Sequence, residues 1–248
     1  MYFTEHTLGI TKDFLYYSVI KDDKKEVIKK PNTLTLNEIR TQFKQVDFDN
    51  FYTSTGGRTY KNSTLENRKI PPFSFLYYYL LIKNEKVPTP QEMVSKYIKF
   101  FCEEDKNGYY IKDKYAESEM FYFNYKAIAG RVCRAYNSFN REVDLLFQLF
   151  QEKDIQAKYE FKTDILKGMD VIVKYNGEKK GIACFQETKR ANDFYTLKHT
   201  TRRQDGDNII IPLAMNRYNS IHIGDIRVFS KRTYDKLIKE IKGEDKNE

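Results

Sequence analysis

The sequence predicts an α/β fold: a mixed central sheet flanked by helices, preceded by an α-rich N-terminal region. Three observations carry this. From Phe139 onward the patterning reads helix, three strands, helix, strand, strand, helix. Two apolar runs, MDVIVKY (169–175) and GIACFQETK (181–189), flank Asn176-Gly177, a dipeptide that supplies the positive φ angles of a tight hairpin. Finally, GIACF is apolar on both of its faces, as a central strand must be.

Taken in order, residues 1–30 alternate as strands do, with FLYYSVI and KKEVIKK on either side of Asp22-Asp23. TLNEIRTQF (35–43) is a short helix capped by Thr35. Residues 52–72 are polar and basic and read as an exposed loop. It either touches nucleic acid through Arg58, Lys61 and Arg68 or is a solvated connector. FSFLYYYLLI (73–82) is buried, as helix or strand, because a continuous apolar run has no period to decide between them. TPQEMVSKYIKFF (89–101) is a helix with Thr89 as cap, Pro90 first and Glu92 closing a capping box.

EDKNGYY then turns the chain. Residues 115–137 form a helix whose Lys126, Arg131 and Arg134 either track a phosphate backbone or solvate one side of a core helix. Residues 140–153 form a second, strongly apolar helix with Glu142 at the margin of its buried face. Strand AKYEF, the central pair, a helix over 191–204, strands NIIIPLAM and IGDIRVFS, and a helix over 233–242 follow, with a frayed tail. A composition change near 105–115 separates a recognition or dimerisation region (1–110) from a catalytic domain (111–248).

The 248 residues, 40% hydrophobic, are enough to bury a substantial core, and a net charge of +8 favours a polyanionic partner. Cys102, Cys133 and Cys184 are odd in number and far apart, which argues against a disulfide framework or a thiolate zinc site and fits a reducing cytoplasm. The first residues lack the basic and apolar regions of a signal peptide, and the run at 73–82 is too short to span a bilayer. No membrane partner is expected.

The chemistry concentrates at the hairpin. Strand alternation puts Glu187 and Lys189 on the face of Ala183 and Phe185, where Asp170 can meet them across the pair. Two carboxylates and an amine at strand ends suit metal-assisted phosphodiester hydrolysis. Hard oxygen ligands hold magnesium, and the lysine orients a water or helps to deprotonate it and, as the ammonium, screens phosphate charge. A glutamate-bearing helix, Gly168-Met169-Asp170 before a hairpin strand, and Glu187-Thr188-Lys189 on the next strand resemble the PD-(D/E)XK nuclease superfamily, with Met169 where that motif has proline.

The resemblance covers residues 139 to about 230. It implies a restriction-endonuclease-like fold and a magnesium-dependent DNA endonuclease of type II restriction character, with manganese able to substitute. It further implies a DNA partner, a homodimer and a cognate methyltransferase. Asp170, Glu187, the Thr188 carbonyl and Glu142 would hold metal, and Lys189 would act on the water. Arg190, Lys198, Arg202 and Arg203 follow the motif as a basic run, either a phosphate clamp or a solvated helix face. The rival expectations are a non-catalytic basic nucleic-acid-binding protein, or a phage- or transposon-borne nuclease of the same fold.

Overall fold

In the computed structural model the described residues are 34–55, 60–66, 72–112, 120–160, 164, 169–189, 192 and 209–244. Helix α1 spans Leu36–Gln45 and opens on a reciprocal capping box: the Thr35 hydroxyl accepts from the Glu38 N–H while the Glu38 carboxylate takes the Thr35 N–H at 2.7 Å. The stretch expected to be an exposed loop (52–72) holds the end of helix α2 (Phe48–Thr55) and the short α3 (Ser63–Glu66) instead, with Leu65 in the core. Isolated apolar residues in polar surroundings carry no period, so only tertiary packing reveals these helices.

The apolar run resolves as helix α4 (Phe73–Asn84), buried from Phe75 to Ile82 without a break, which is why it shows no amphipathic stripe. Helix α5 (Pro90–Phe101) is capped by Thr89 as expected, but Glu92 closes no capping box; its carboxylate accepts from the Asn84 amide at 2.9 Å instead. A hairpin follows, β1 (Cys102–Asp105) with β2 (Gly108–Ile111).

Two helices expected at 115–137 and 140–153 are one. Helix α6 runs 25 residues, Tyr125–Leu149, because nothing between them breaks it. Every residue from Phe139 to Leu149 is buried, polar ones included. Residues from α1, α2, α4 and α5 pack on one side of it, and β3, β5 and β8 on another. Two of the three basic side chains on its early turns are spent within the fold: Arg131 donates to the Leu65 carbonyl at 2.9 Å and Arg134 to the Tyr60 carbonyl at 2.6 Å, while Lys126 is exposed.

The sheet has the order β3-β4-β5-β6: β3 (Gln156–Lys158), β4 (Val171–Tyr175), β5 (Glu178–Gln186) and β6 (Ile209–Met215). The first three are an antiparallel meander, and β6 runs parallel to β5. The β4–β5 turn is the one the sequence announces, with φ of 47° at Asn176 and 88° at Gly177. The expected single strand IGDIRVFS is a hairpin instead, β7 (Ser220–Ile223) and β8 (Ile226–Phe229), turning at Gly224 with φ of 60°. Helix α7 (Lys231–Lys242) closes the fold, and its Tyr234 hydroxyl donates to the Gln148 carbonyl at 3.0 Å. The mixed α/β class is thus as expected. Among the described residues no helix is long and apolar enough to cross a membrane.

One ion pair ties the N-terminal helices to α6. Arg40 Nε donates to Asp144 Oδ1 at 2.7 Å and its terminal nitrogen to Oδ2 at 3.1 Å, while Gln148 donates to the same carboxylate at 2.6 Å. Burial pushes the Asp144 carboxyl up, and the Arg40 and Gln148 hydrogen bonds oppose it. Removing one partner of such a pair strands a buried charge. Arg40→Ala should therefore cost about 3 kcal/mol in urea denaturation. A loss smaller than that of Arg40→Ala in the double variant with Asp144→Asn would confirm that the stranded carboxylate is the cause.

Candidate active site

Glu142 enters the site from the buried middle of α6. It is only 5% exposed, inside the buried face rather than at its margin. Its Oε1 accepts from the Ser138 hydroxyl one turn earlier at 2.8 Å, and that hydroxyl in turn accepts from Arg141 at 2.8 Å. Asp170 stands just ahead of β4, as expected. Its N–H donates to the Ile182 carbonyl at 2.8 Å, and its Oδ2 accepts the Cys184 N–H of β5 at 2.5 Å. The carboxylate is thus folded across the end of the β4–β5 ladder. The residue before it, Met169, is buried against Gly181, where a Cβ would lie 2.4 Å from the Met169 sulfur.

The charges of Asp170 and of a third acid, Asp164, act on Glu142. Burial pushes the Glu142 carboxyl well up, and the charges of Asp170 and Asp164 push it further, against Arg141 and the Ser138 hydrogen bond. Three other buried groups feel the same acids. The Tyr78 and Tyr159 hydroxyls and the Cys184 thiol are raised first by burial, then by Glu142, Asp164 and, for Tyr78 and Cys184, Asp170. Asp164 itself accepts from the Tyr159 hydroxyl at 2.8 Å. Sequence reasoning passed over Asp164; its signal was an acid six residues ahead of Asp170 in a stretch otherwise apolar or basic.

Glu187, Thr188 and Lys189 are exposed and follow β5, which ends at Gln186 rather than running on to Lys189 as expected. The Glu187 N–H prolongs the parallel ladder by donating to the Met215 carbonyl at 2.8 Å, and its Oε2 accepts from the Asn216 amide at 2.6 Å. With Val171 opposite Ile182, Asp170 comes level with Ala183, four residues short of Glu187. That is about 13 Å of strand, so Asp170 does not meet Glu187 and Lys189 across the pair as expected. Lys61 is exposed beside α3. Arg58, Arg190, Lys198, Arg202 and Arg203 lie outside the described residues, as do the strands expected in 1–30.

The donor set suits magnesium in kind. Magnesium is usually held by one or two carboxylates, with waters and substrate phosphate completing the shell. Glu142 and Asp170 supply hard oxygens whose mutual repulsion a divalent ion would relieve. The Tyr78 hydroxyl, buried and under the influence of the same acids, has no hydrogen-bond partner among the described residues. Among the described residues no group of three or more His, Cys, Asp or Glu side chains is arranged to hold a metal ion by itself. Compared with protein-family models, with curated proteins and with solved structures, the chain matches none.

A carboxyl whose folded value is raised favours folding below its unfolded value, and that contribution is lost as pH rises through the folded one. In chelator-containing buffer, wild-type stability should therefore fall as pH climbs from the ordinary glutamate range near ~4.3. Glu142→Gln should remove that part of the slope and be the more stable protein at pH ~8. Urea denaturation across the range checks it, and parallel curves for the two proteins would count against a raised Glu142.

Proposed function

We propose that the chain is a magnesium-dependent DNA endonuclease, restriction-like in character, built on a restriction-endonuclease-like core. The observation that carries this reading is the meeting of Glu142 and Asp170: a helix glutamate, buried and destabilised as an anion, beside an aspartate at the head of a hairpin strand. The sheet supports it: it is mixed and flanked by helices, which is the architecture the PD-(D/E)XK resemblance implies.

In this reading Asp170 and Glu142 hold the ion, while Glu187 and Thr188 stand about 13 Å further along the strand, too far to share it. Magnesium, when bound, supplies Lewis-acid neutralisation of the phosphate and a more acidic water. Asp170 is held in place by the Cys184 N–H, and Ser138 orients Glu142. Lys189, exposed beyond the strand end, takes the proton of the attacking water or orients it, and screens the phosphate. The net charge of +8 draws DNA to this surface, and a homodimer would cut both strands. A non-catalytic nucleic-acid-binding protein is the second reading. It is favoured by the tie between Glu187 and Asn216, which occupies that carboxylate.

Plasmid DNA separates the two. Cleavage that needs magnesium and stops with chelator is expected. Lys189→Ala should slow it by about 10²–10⁴-fold while leaving DNA binding largely intact. Asp170→Asn should abolish cleavage. Binding without cleavage in the wild type would overturn the enzyme reading, and full activity in Lys189→Ala would remove that residue from the chemistry.

A further inference from the structure

The connection from β6 to β7 carries an exposed aromatic on a heavily braced support. Tyr218 is 79% exposed, more than any other large hydrophobic side chain described. Its loop is fixed by reciprocal asparagine contacts. Asn216 Oδ1 accepts the Tyr218 and Asn219 N–H groups at 2.8 and 3.0 Å, and Asn219 Oδ1 accepts the Asn216 N–H at 2.7 Å. The Asn219 amide reaches back to the Ala214 carbonyl at 2.7 Å, and the Asn219 carbonyl accepts from Ser230 and Thr233 at the start of α7. The Arg217 guanidinium lies 4.6 Å from the Tyr218 ring centroid and hydrogen-bonds its hydroxyl. One ring face therefore carries a cation.

A single exposed tyrosine is ordinary on a protein surface. This one is rigid, paired with arginine and placed beside the motif. Asn216, which begins the loop, is the residue whose amide holds Glu187. The loop leaves the C-terminal end of β6, next to the C-terminal end of the parallel strand β5, which Thr188 and Lys189 follow. Ligands of open α/β sheets bind at the carboxyl ends of parallel strands. An aromatic held still before binding loses little side-chain entropy when a flat group stacks on it, and every nucleobase has such a face.

We propose that Tyr218 and Arg217 form a stacking subsite for an unpaired nucleotide of a DNA strand, with the base on the Tyr218 ring and the adjoining phosphate near Arg217. The subsite deepens the nuclease reading by specifying a locally unstacked strand at the motif, but its binding can be measured without cleavage. It lies outside the basic run that follows the motif.

Fluorescence anisotropy with a fluorescein-labelled single-stranded oligodeoxynucleotide, in chelator so that nothing is cut, tests it on the full chain. Tyr218→Ala should weaken binding about tenfold, whereas Tyr218→Phe, which keeps the ring, should stay within about twofold of wild type. Arg217→Ala should weaken binding and flatten its dependence on salt. An unchanged Tyr218→Ala, an equal loss in Tyr218→Phe, or binding of duplex but not single strand would overturn the subsite; so would binding of RNA alone. Unaltered thermal melting of the variants, expected for so exposed a side chain, separates these outcomes from misfolding. Ring-dependent binding without magnesium-dependent cleavage would defeat only the nuclease reading. Cleavage with ring-independent binding would defeat only the subsite.

Discussion

The structure depends on burying a helix on every side. Over its last three turns α6 has no solvent face, yet it carries Asn140, Arg141, Glu142, Asp144 and Gln148 there. A buried polar group is tolerable only with partners, so each of these fixes something else in place. Asn140 accepts from Tyr77 of α4 at 2.7 Å, and Asp144 fastens Arg40 of α1. Gln148 serves Asp144, and its carbonyl anchors Tyr234 of α7. The N-terminal helices and the C-terminal sheet are joined by the needs of a single helix, and the hydrophobic core runs without interruption from Leu34 to Ile241.

Against that background Glu142 stands apart. Its neighbours on the helix have partners that favour their buried state. Glu142 has the Ser138 hydroxyl and the Arg141 charge against burial and two like charges, and its anion is the costly form. A strongly perturbed buried carboxyl of this kind marks Glu142 as a candidate functional residue. The same helix that organises the packing thereby supplies the acid on which the proposed chemistry turns.

Much of this was legible in the chain. Asn176-Gly177 specified its turn because only a few residue types adopt two successive positive φ angles. GIACF specified a central strand because only burial on both faces permits that composition, and β5 does pair on both edges. What could not be read depended on distant partners. Gly224 sits inside an apolar run, and its turn is set by close approach to α1, where a Cβ would meet the Lys44 Cα at 2.9 Å. Leu65 is buried only because α6 passes over it, and Asp164 becomes part of the acidic group only when Tyr159 and α6 surround it. Glu187 was seen as a candidate, but its grip on Asn216, 29 residues away in the chain, has no local signature.

Where the motif of the resembled family has proline, this chain has Met169, and its thioether fills the space left by the missing side chain of Gly181. This contact between Met169 and β5 helps to fix the backbone just ahead of Asp170. The two positions are thereby bound to drift in step. A side chain gained at 181 must be matched by volume lost at 169, so in a diverging lineage this pair would change together or not at all.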